Sequence, residues 1–241
     1  MSEELLRHHH AVWDRKPILR CLYTEWYREV VFWLRPGRTL EVGGGTGNLK
    51  EFFPQAYCTD VVRLPWLDVV ADAQRLPFAA KSLTNIVLFD VLHHIENVRF
   101  FFDEALRVLE PYGRIVMMDP YISICSWPVY RFLHPEPVDF MQNPLTLRPA
   151  AANREPFDSN QAIATVLFER RFNQFAALYP QFTKLYRRRF AFWAYPLSGG
   201  FDHPSLLPMW LVRPTLWMEK TLSFLDRICA FRLLVVLEKT R

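Results

Sequence analysis

Cysteine is scarce and scattered in this 241-residue chain: Cys21, Cys58, Cys125 and Cys229 form no C-x-x-C pair. That spacing signals neither a zinc site nor a redox dithiol, so no metal is expected. Glycine is also scarce, with 8 positions, half of them between residues 43 and 47. There is no Gly-Lys pair, which excludes a P-loop. No run of about 18 apolar residues occurs, so no transmembrane helix is expected. The start, MSEELLRHHHAVW, places acids before any apolar stretch. It does not read as a secretory leader, and a cytoplasmic, reducing setting is the expectation. His8, His9 and His10 are read as part of an N-terminal helix. No internal repeat or low-complexity segment is visible.

What is present supports a large core. Hydrophobic residues make up 51% and charged ones 22%, a balance that excludes disorder. Charge is uneven. The first 119 residues hold 14 basic and 16 acidic side chains, the remainder 15 and 9. Residues 1–37 read as a helical cap with Val12, Ile18, Leu22, Trp26, Val30 and Trp33 on one stripe. Residues 38–120 alternate strand-like and helix-like runs, which implies a parallel sheet with crossovers. Short strands are expected in RTLEVG, AYCTD, DVVAD, NIVLFDV and GRIVMMDP, and a helix in VRFFFDEALRVLEP. Residues 121–230 begin proline-rich and then turn helical. SNQAIATVLFERRFNQFAALYP reads as one helix capped by Ser159, and TKLYRRRFAFWAYPL as a strand. Residues 231–241 read as a final apolar strand.

The stretch TLEVGGGTGNL, residues 39–49, follows a strand and opens a helix. A dinucleotide fingerprint needs glycine at 48, where asparagine stands. The pattern that fits is acid-x-Gly-x-Gly-x-Gly: Glu41, Gly43, Gly45, Gly47. Asp60 closes the second strand, where a carboxylate can accept from two ribose hydroxyls. Asp72 closes the third, placed to accept from an adenine amino group. LFDVLHHI follows at the fourth. All these strand ends lie on the ligand-binding edge of a doubly wound sheet.

With those motifs in that order, the chain resembles class I S-adenosylmethionine-dependent methyltransferases of the small-molecule type (methyltransferase type 11-like). The resemblance covers residues 38–120, and FRLLVVLEK resembles the family's last, antiparallel strand. It implies an α/β fold, a Rossmann-like doubly wound mixed sheet of the seven-stranded methyltransferase type. An irregular, mostly helical C-terminal insertion would precede the last strand. It implies S-adenosyl-L-methionine as cofactor, with Gly43, Gly45 and Gly47 admitting its methionyl part and ribose. Glu41 would orient the loop or the cofactor's ammonium, Asp60 would take the ribose, Asp72 and Ala73 would meet the adenine, and Phe89 and Asp90 would lie near the methionine end. One departure stands out. Only VVRLPWL separates Asp60 from the third strand, too short for a crossover helix.

Methyl transfer to a hydroxyl calls for a general base, and His93 and His94, at the ligand edge, are the candidates. Packing is the competing reading of either ring. Asp119 and Tyr121 are candidates for the acceptor pocket, as are Asp202 and His203. Phe190, Phe192, Trp193, Tyr195, Trp210 and Trp217 could stack on an acceptor or fill a core. Arg187–Arg189 with Arg170 and Arg171 could contact phosphate or form a solvated basic face. The expected activity is methylation, at oxygen, of a small or medium acceptor such as a sugar or cell-envelope precursor. The acceptor would be a small molecule or a saccharide- or lipid-linked one, with weak peripheral membrane association. The alternative is a catalytically silent cofactor-binding protein or partner subunit. No nucleic acid is expected, because no N-P-P-Y-type motif follows strand four and no recognised binding module is present.

Overall fold

The apolar runs form strands buried on both faces. Thr39–Val42 (β1) and Leu83–Phe89 (β4) are buried at every position, the signature of a sheet covered by helices on each side. In the computed structural model, residues 2–149, 155 and 158–241 are described. Residues 150–154, 156 and 157 of the expected acceptor-side insertion lie outside them.

In chain order the elements are α1 (Ser2–Arg15), α2 (Pro17–Phe32), β1, α3 (Leu49–Phe52), β2 (Tyr57–Asp60), β3 (Val69–Val70), β4, α4 (Val98–Val108), β5 (Leu109–Pro120) and α5 (Ser126–Phe132). There follow α6 (Ile163–Thr165), α7 (Phe172–Leu178), β6 (Phe182–Phe190), α8 (Ala194–Leu197), α9 (Met209–Thr221), α10 (Asp226–Cys229) and β7 (Arg232–Lys239). The seven strands run in the order β3-β2-β1-β4-β5-β7-β6. β1 to β5 are parallel to their neighbours, while β7 runs antiparallel between β5 and β6. This is the seven-stranded mixed sheet that the family resemblance implied. Its sixth strand arises inside residues 121–230.

Side chains alternate across the sheet with period two. Ile86 and Leu88, Ile115 and Met117, and Leu233 and Val235 face one core with Phe101, Phe102, Phe168 and Phe175. Val87 and Phe89, Val116 and Met118, and Leu234 and Val236 face the other with Trp13, Leu22, Trp26 and Val30 of α1 and α2. The N-terminal stripe is split: Lys16 leaves the helical conformation and Pro17 starts α2, a position where its missing N–H costs nothing.

Three expectations needed revision. The strand read over TKLYRRRFAFWAYPL ends at Phe190, and Ala194–Leu197 is helical. The helix read over SNQAIATVLFERRFNQFAALYP is broken. A π turn spans Val166–Arg170, and Arg171, at φ −122°, separates it from α7. The turn's extra residue lets Leu167, Phe168 and Phe175 all reach the sheet-side core. Nor does Ser159 cap it. Ala162 precedes α6 with no side-chain cap bond, and Asn160 Oδ1 accepts from Ala162 N at 3.0 Å in the turn before it. The departure between β2 and β3 is real: residues 61–68 cross without a helix.

Phe175 is fully buried and its ring lies 4.7 Å from that of Phe102. Phe175→Ala is expected to cost about 3–5 kcal/mol of unfolding free energy, measured by denaturant titration.

Candidate active site

The glycine turn is built for close approach. Gly43, Gly45 and Gly47 have φ of 66°, 38° and 74°, values that side chains rarely tolerate. A Cβ on Gly43 would lie 2.5 Å from the Val91 side chain, and one on Gly47 2.8 Å from Trp66. The turn is clamped from outside. Gly45 N donates to Asp60 Oδ2 at 3.0 Å, and Trp66 Nε1 donates to Gly45 O at 2.8 Å. From α1, His10 Nδ1 donates to Thr46 O at 2.8 Å and its ring stacks on Trp66 at 4.2 Å. The short 61–68 crossing thus supplies a tryptophan where a helix would otherwise pack.

Beneath the turn, Glu41 is buried and accepts from Cys58 Sγ at 2.9 Å. Burial raises its pKa to about 7, with the thiol's bond opposing and Asp60 adding to the shift. Asp60 is also raised by burial, against the N–H groups of Val62 and Gly45.

A cavity of about 1130 Å³ opens over these strand ends. On the β2–β3 side it is lined by Asp60, Asp72 and Ala73; under β1 and β4 by Glu41, Gly43, Gly45, Phe89 and Asp90; on the β4–β5 side by His93 and His94. All the candidate cofactor and catalytic residues therefore converge on it except Gly47, which instead accommodates Trp66. Asp90 is committed elsewhere. It adopts φ 59° and receives both terminal nitrogens of Arg232, one at 2.6 Å.

His93 and His94 form one turn after β4, residues 92–94. His93 Nδ1 lies 2.8 Å from Asp119 Oδ1, and its Nε2 lies 3.3 Å from Glu136 Oε2. Burial opposes its charge, but the two carboxylates outweigh it and raise its pKa to about 10. In that state both nitrogens donate, and His93 has no lone pair with which to accept a proton. Burial would raise Glu136 as well, but the histidines outweigh it and hold it below the usual carboxylate range. His94 Nε2 lies 3.7 Å from Glu136 Oε1.

Other candidates separate by role. Tyr195, Asp202 and His203 line the cavity, and Asp202 meets His9 at 3.1 Å. Phe190 and Phe192 are core. Trp210 and Trp217 are exposed. Arg187 and Arg189 bind Glu169, and Arg188 binds Glu29. Arg170 covers the Phe140 ring and Arg171 reaches Gln174, so the run forms internal pairs. Sequence reasoning missed Glu136, Gln161, Tyr23 and Arg232, all of which line the cavity. The signal for Glu136 was present in His134-Pro-Glu-Pro, a polar pair fixed by two prolines.

The Glu41 shift has a pH consequence. Its folded pKa, about 7, exceeds the ordinary 4.5. The associated stability is complete below 4.5 and is lost as pH rises through 7. The loss is about 3 kcal/mol between the two limits. Glu41→Gln is expected to flatten that part of the stability profile, read from denaturant midpoints at pH 5 and pH 8.

Comparison with known proteins follows the same outline. A family model described as a methyltransferase domain matches residues 40–117. The chain is 31% identical over 121 residues to the ubiquinone/menaquinone biosynthesis C-methyltransferase UbiE of Cereibacter sphaeroides, covering 39% of this chain and 48% of that protein. It thus spans about half the length of the curated relatives it matches. A SAM-dependent methyltransferase from Archaeoglobus fulgidus shares the fold with a TM-score of 0.52 at 13% identity, over 91% of this chain and 94% of that one. The geranyl diphosphate C-methyltransferase of Streptomyces coelicolor does so at 0.50 and 12%, over 92% and 81%. With the glycine turn and the strand-end acids, these matches give residues 40–117 as a methyltransferase domain, and the β3-β2-β1-β4-β5-β7-β6 sheet gives the chain the fold of S-adenosylmethionine-dependent methyltransferases.

Proposed function

We propose that this chain transfers a methyl group from S-adenosyl-L-methionine to a hydroxyl oxygen of a small or medium acceptor with an apolar body, such as a lipid-linked sugar or envelope precursor. The observation that carries the reading is the single cavity of about 1130 Å³, which joins the glycine turn to the His93–Glu136 cluster. Pockets for one small ligand run from about 300 to 1,000 Å³, so this volume suits a cofactor and an acceptor together.

The residues fit the cofactor. The turn keeps its backbone open where a Cβ would intrude. The Asp60 carboxylate accepts one N–H on each oxygen and retains lone pairs for a ribose diol. Asp72, exposed, accepts from Gln74 N at 2.9 Å and would meet the adenine beside Ala73. Glu41 would answer the ammonium through the turn. Bound there, the cofactor supplies a methyl group already activated by its sulfonium. The chain's own work is to orient the acceptor and exclude water.

Residues 38–120 would hold the donor and residues 121–230 the acceptor. From the latter segment Tyr130, Leu133, Gln161, Tyr195 and Leu206 reach the cavity. His93, His94 and Glu136 would hold the acceptor oxygen and ease its ionisation. Leu133 and Leu206 line the cavity yet are 70% and 77% exposed, so its mouth is apolar. Trp210, Trp217 and Phe224 continue an exposed apolar series along α9 and beyond, with Arg213 and Lys220 also exposed on that helix. This supports weak docking at an anionic membrane surface, where a lipid-linked acceptor would be met. Among the described residues no helix is long and apolar enough to cross a membrane.

Calorimetry is expected to give one S-adenosylmethionine site per chain. Asp60→Ala is expected to weaken it about 10- to 100-fold, the loss of charge-assisted bonds. An unchanged dissociation constant would reject the ribose assignment. With methyl-labelled cofactor and a panel of lipid-linked saccharides, quinols and phenols, the expected product carries an O-methyl signal by NMR. A C-methyl product would correct the acceptor atom. Cofactor binding with no product from any acceptor would favour the silent binding protein.

A further inference from the structure

The cluster facing the acceptor side of the cavity has the makings of a metal centre. We propose that His93 Nε2, His94 Nε2 and the Glu136 carboxylate bind one divalent first-row transition ion, of the zinc or iron(II) class, the ion displacing the Nε2 proton of His93 to solvent. The three donor atoms lie within 4.8 Å of one another. Two donors on one ion at ordinary bond lengths, in tetrahedral geometry, stand about 3.4 Å apart. The observed separations are 3.3 Å from Glu136 Oε2 to His93 Nε2 and 3.7 Å from Glu136 Oε1 to His94 Nε2. Little movement would be needed to close the set.

The surroundings support a built site. His93 donates from Nδ1 to Asp119, which is 2% exposed, at 2.8 Å. A ligand histidine whose other nitrogen is fixed by a carboxylate is the common arrangement at metal centres, because it sets the ring's tautomer and angle. Glu136 is held in place between Pro135 and Pro137, and Gln161 Nε2 also donates to its carboxylate. Backbone bonds fix the same group: Asn160 N donates to His93 O, and Gln161 N to Pro137 O, both at 3.0 Å. The histidines come from a turn anchored after β4 and the glutamate from the loop after α5. Neither segment could form the set alone.

Two histidines and one carboxylate on a cavity wall leave coordination positions open toward the cavity. Those positions would take an acceptor's hydroxyl oxygen and lower its pKa, the proton leaving to water. The inference deepens the proposed function at that site. Its readout is metal occupancy, which does not depend on methyl transfer.

The test uses the full chain, freed of metal by a chelator and titrated with Zn2+ and Co2+. One ion per chain at micromolar or lower dissociation constant is expected. His94→Gln and Glu136→Gln should each raise that constant at least 100-fold, and Asp119→Asn about 10- to 100-fold. His8→Gln, at an exposed position on α1, should leave it unchanged. Circular dichroism reports whether each variant is folded. The Co2+ form of the unsubstituted chain provides a check that needs no variant: paramagnetically shifted signals from two imidazole rings. Absence of saturable one-to-one binding, binding that survives both His94→Gln and Glu136→Gln, or a Co2+ form lacking those two signals would overturn the proposal.

Discussion

A buried guanidinium–carboxylate pair holds the cavity floor. Arg232, 1% exposed, opens β7 and grips Asp90 at the end of β4, two strands away in the sheet. The same guanidinium donates to the Tyr23 hydroxyl from α2 at 3.2 Å and faces the Tyr195 ring of α8 at 4.6 Å. Burying a cation is costly unless it is paired and bonded. Here bidentate contact and two tyrosines offset that cost, and the result binds cap, core and insertion at one point. Asp90 sits in the left-handed region, and beyond it the Val91 side chain lies against Gly43 and the next turn runs toward β5. That is how His93 comes to meet Asp119. The ion pair, the strained residue and the histidine turn thus follow one another along the chain after β4.

The cavity that results has two chemically different sides. On the β2–β3 side, carboxylates and open backbone suit an adenosine ligand. The turn there is held by Asp60, Trp66 and His10 rather than by a crossover helix. On the β4–β5 side, two histidines, Asp119 and Glu136 form one cluster of close polar contacts. The first side is built from the segment that matches the methyltransferase domain model. The second takes its decisive residue, Glu136, from the segment after β5, where an acceptor-specific wall would be expected to vary.

The parts legible in the sequence were those written locally. The all-buried strands read as apolar runs, and the glycine turn declared itself because positive φ at Gly43, Gly45 and Gly47 leaves few other residues. The acids at the ends of β2 and β3 could be placed by counting from strands. Illegible were the contacts made across long separations. Glu136 looked like one more residue of a proline-rich loop, and Arg232 like an interruption in an apolar strand. Only the sheet order brings Arg232 to Asp90, through the insertion of β7 between β5 and β6. The RRRF run misled in the other direction, since its charge is spent on Glu169 and Glu29. The π turn at 166–170 could not be read either, because helix and π turn share one composition and only the demand to bury Phe168 with Phe175 separates them.

The central claim is that one cavity holds donor and acceptor side by side. A crystal structure of the chain grown with S-adenosylhomocysteine tests it most directly. The account predicts the ribose on Asp60, the adenine beside Asp72 and Ala73, and the sulfur facing the His93–Glu136 cluster across the apolar mouth. A ligand bound away from the glycine turn, or one whose sulfur points away from that cluster, would contradict it.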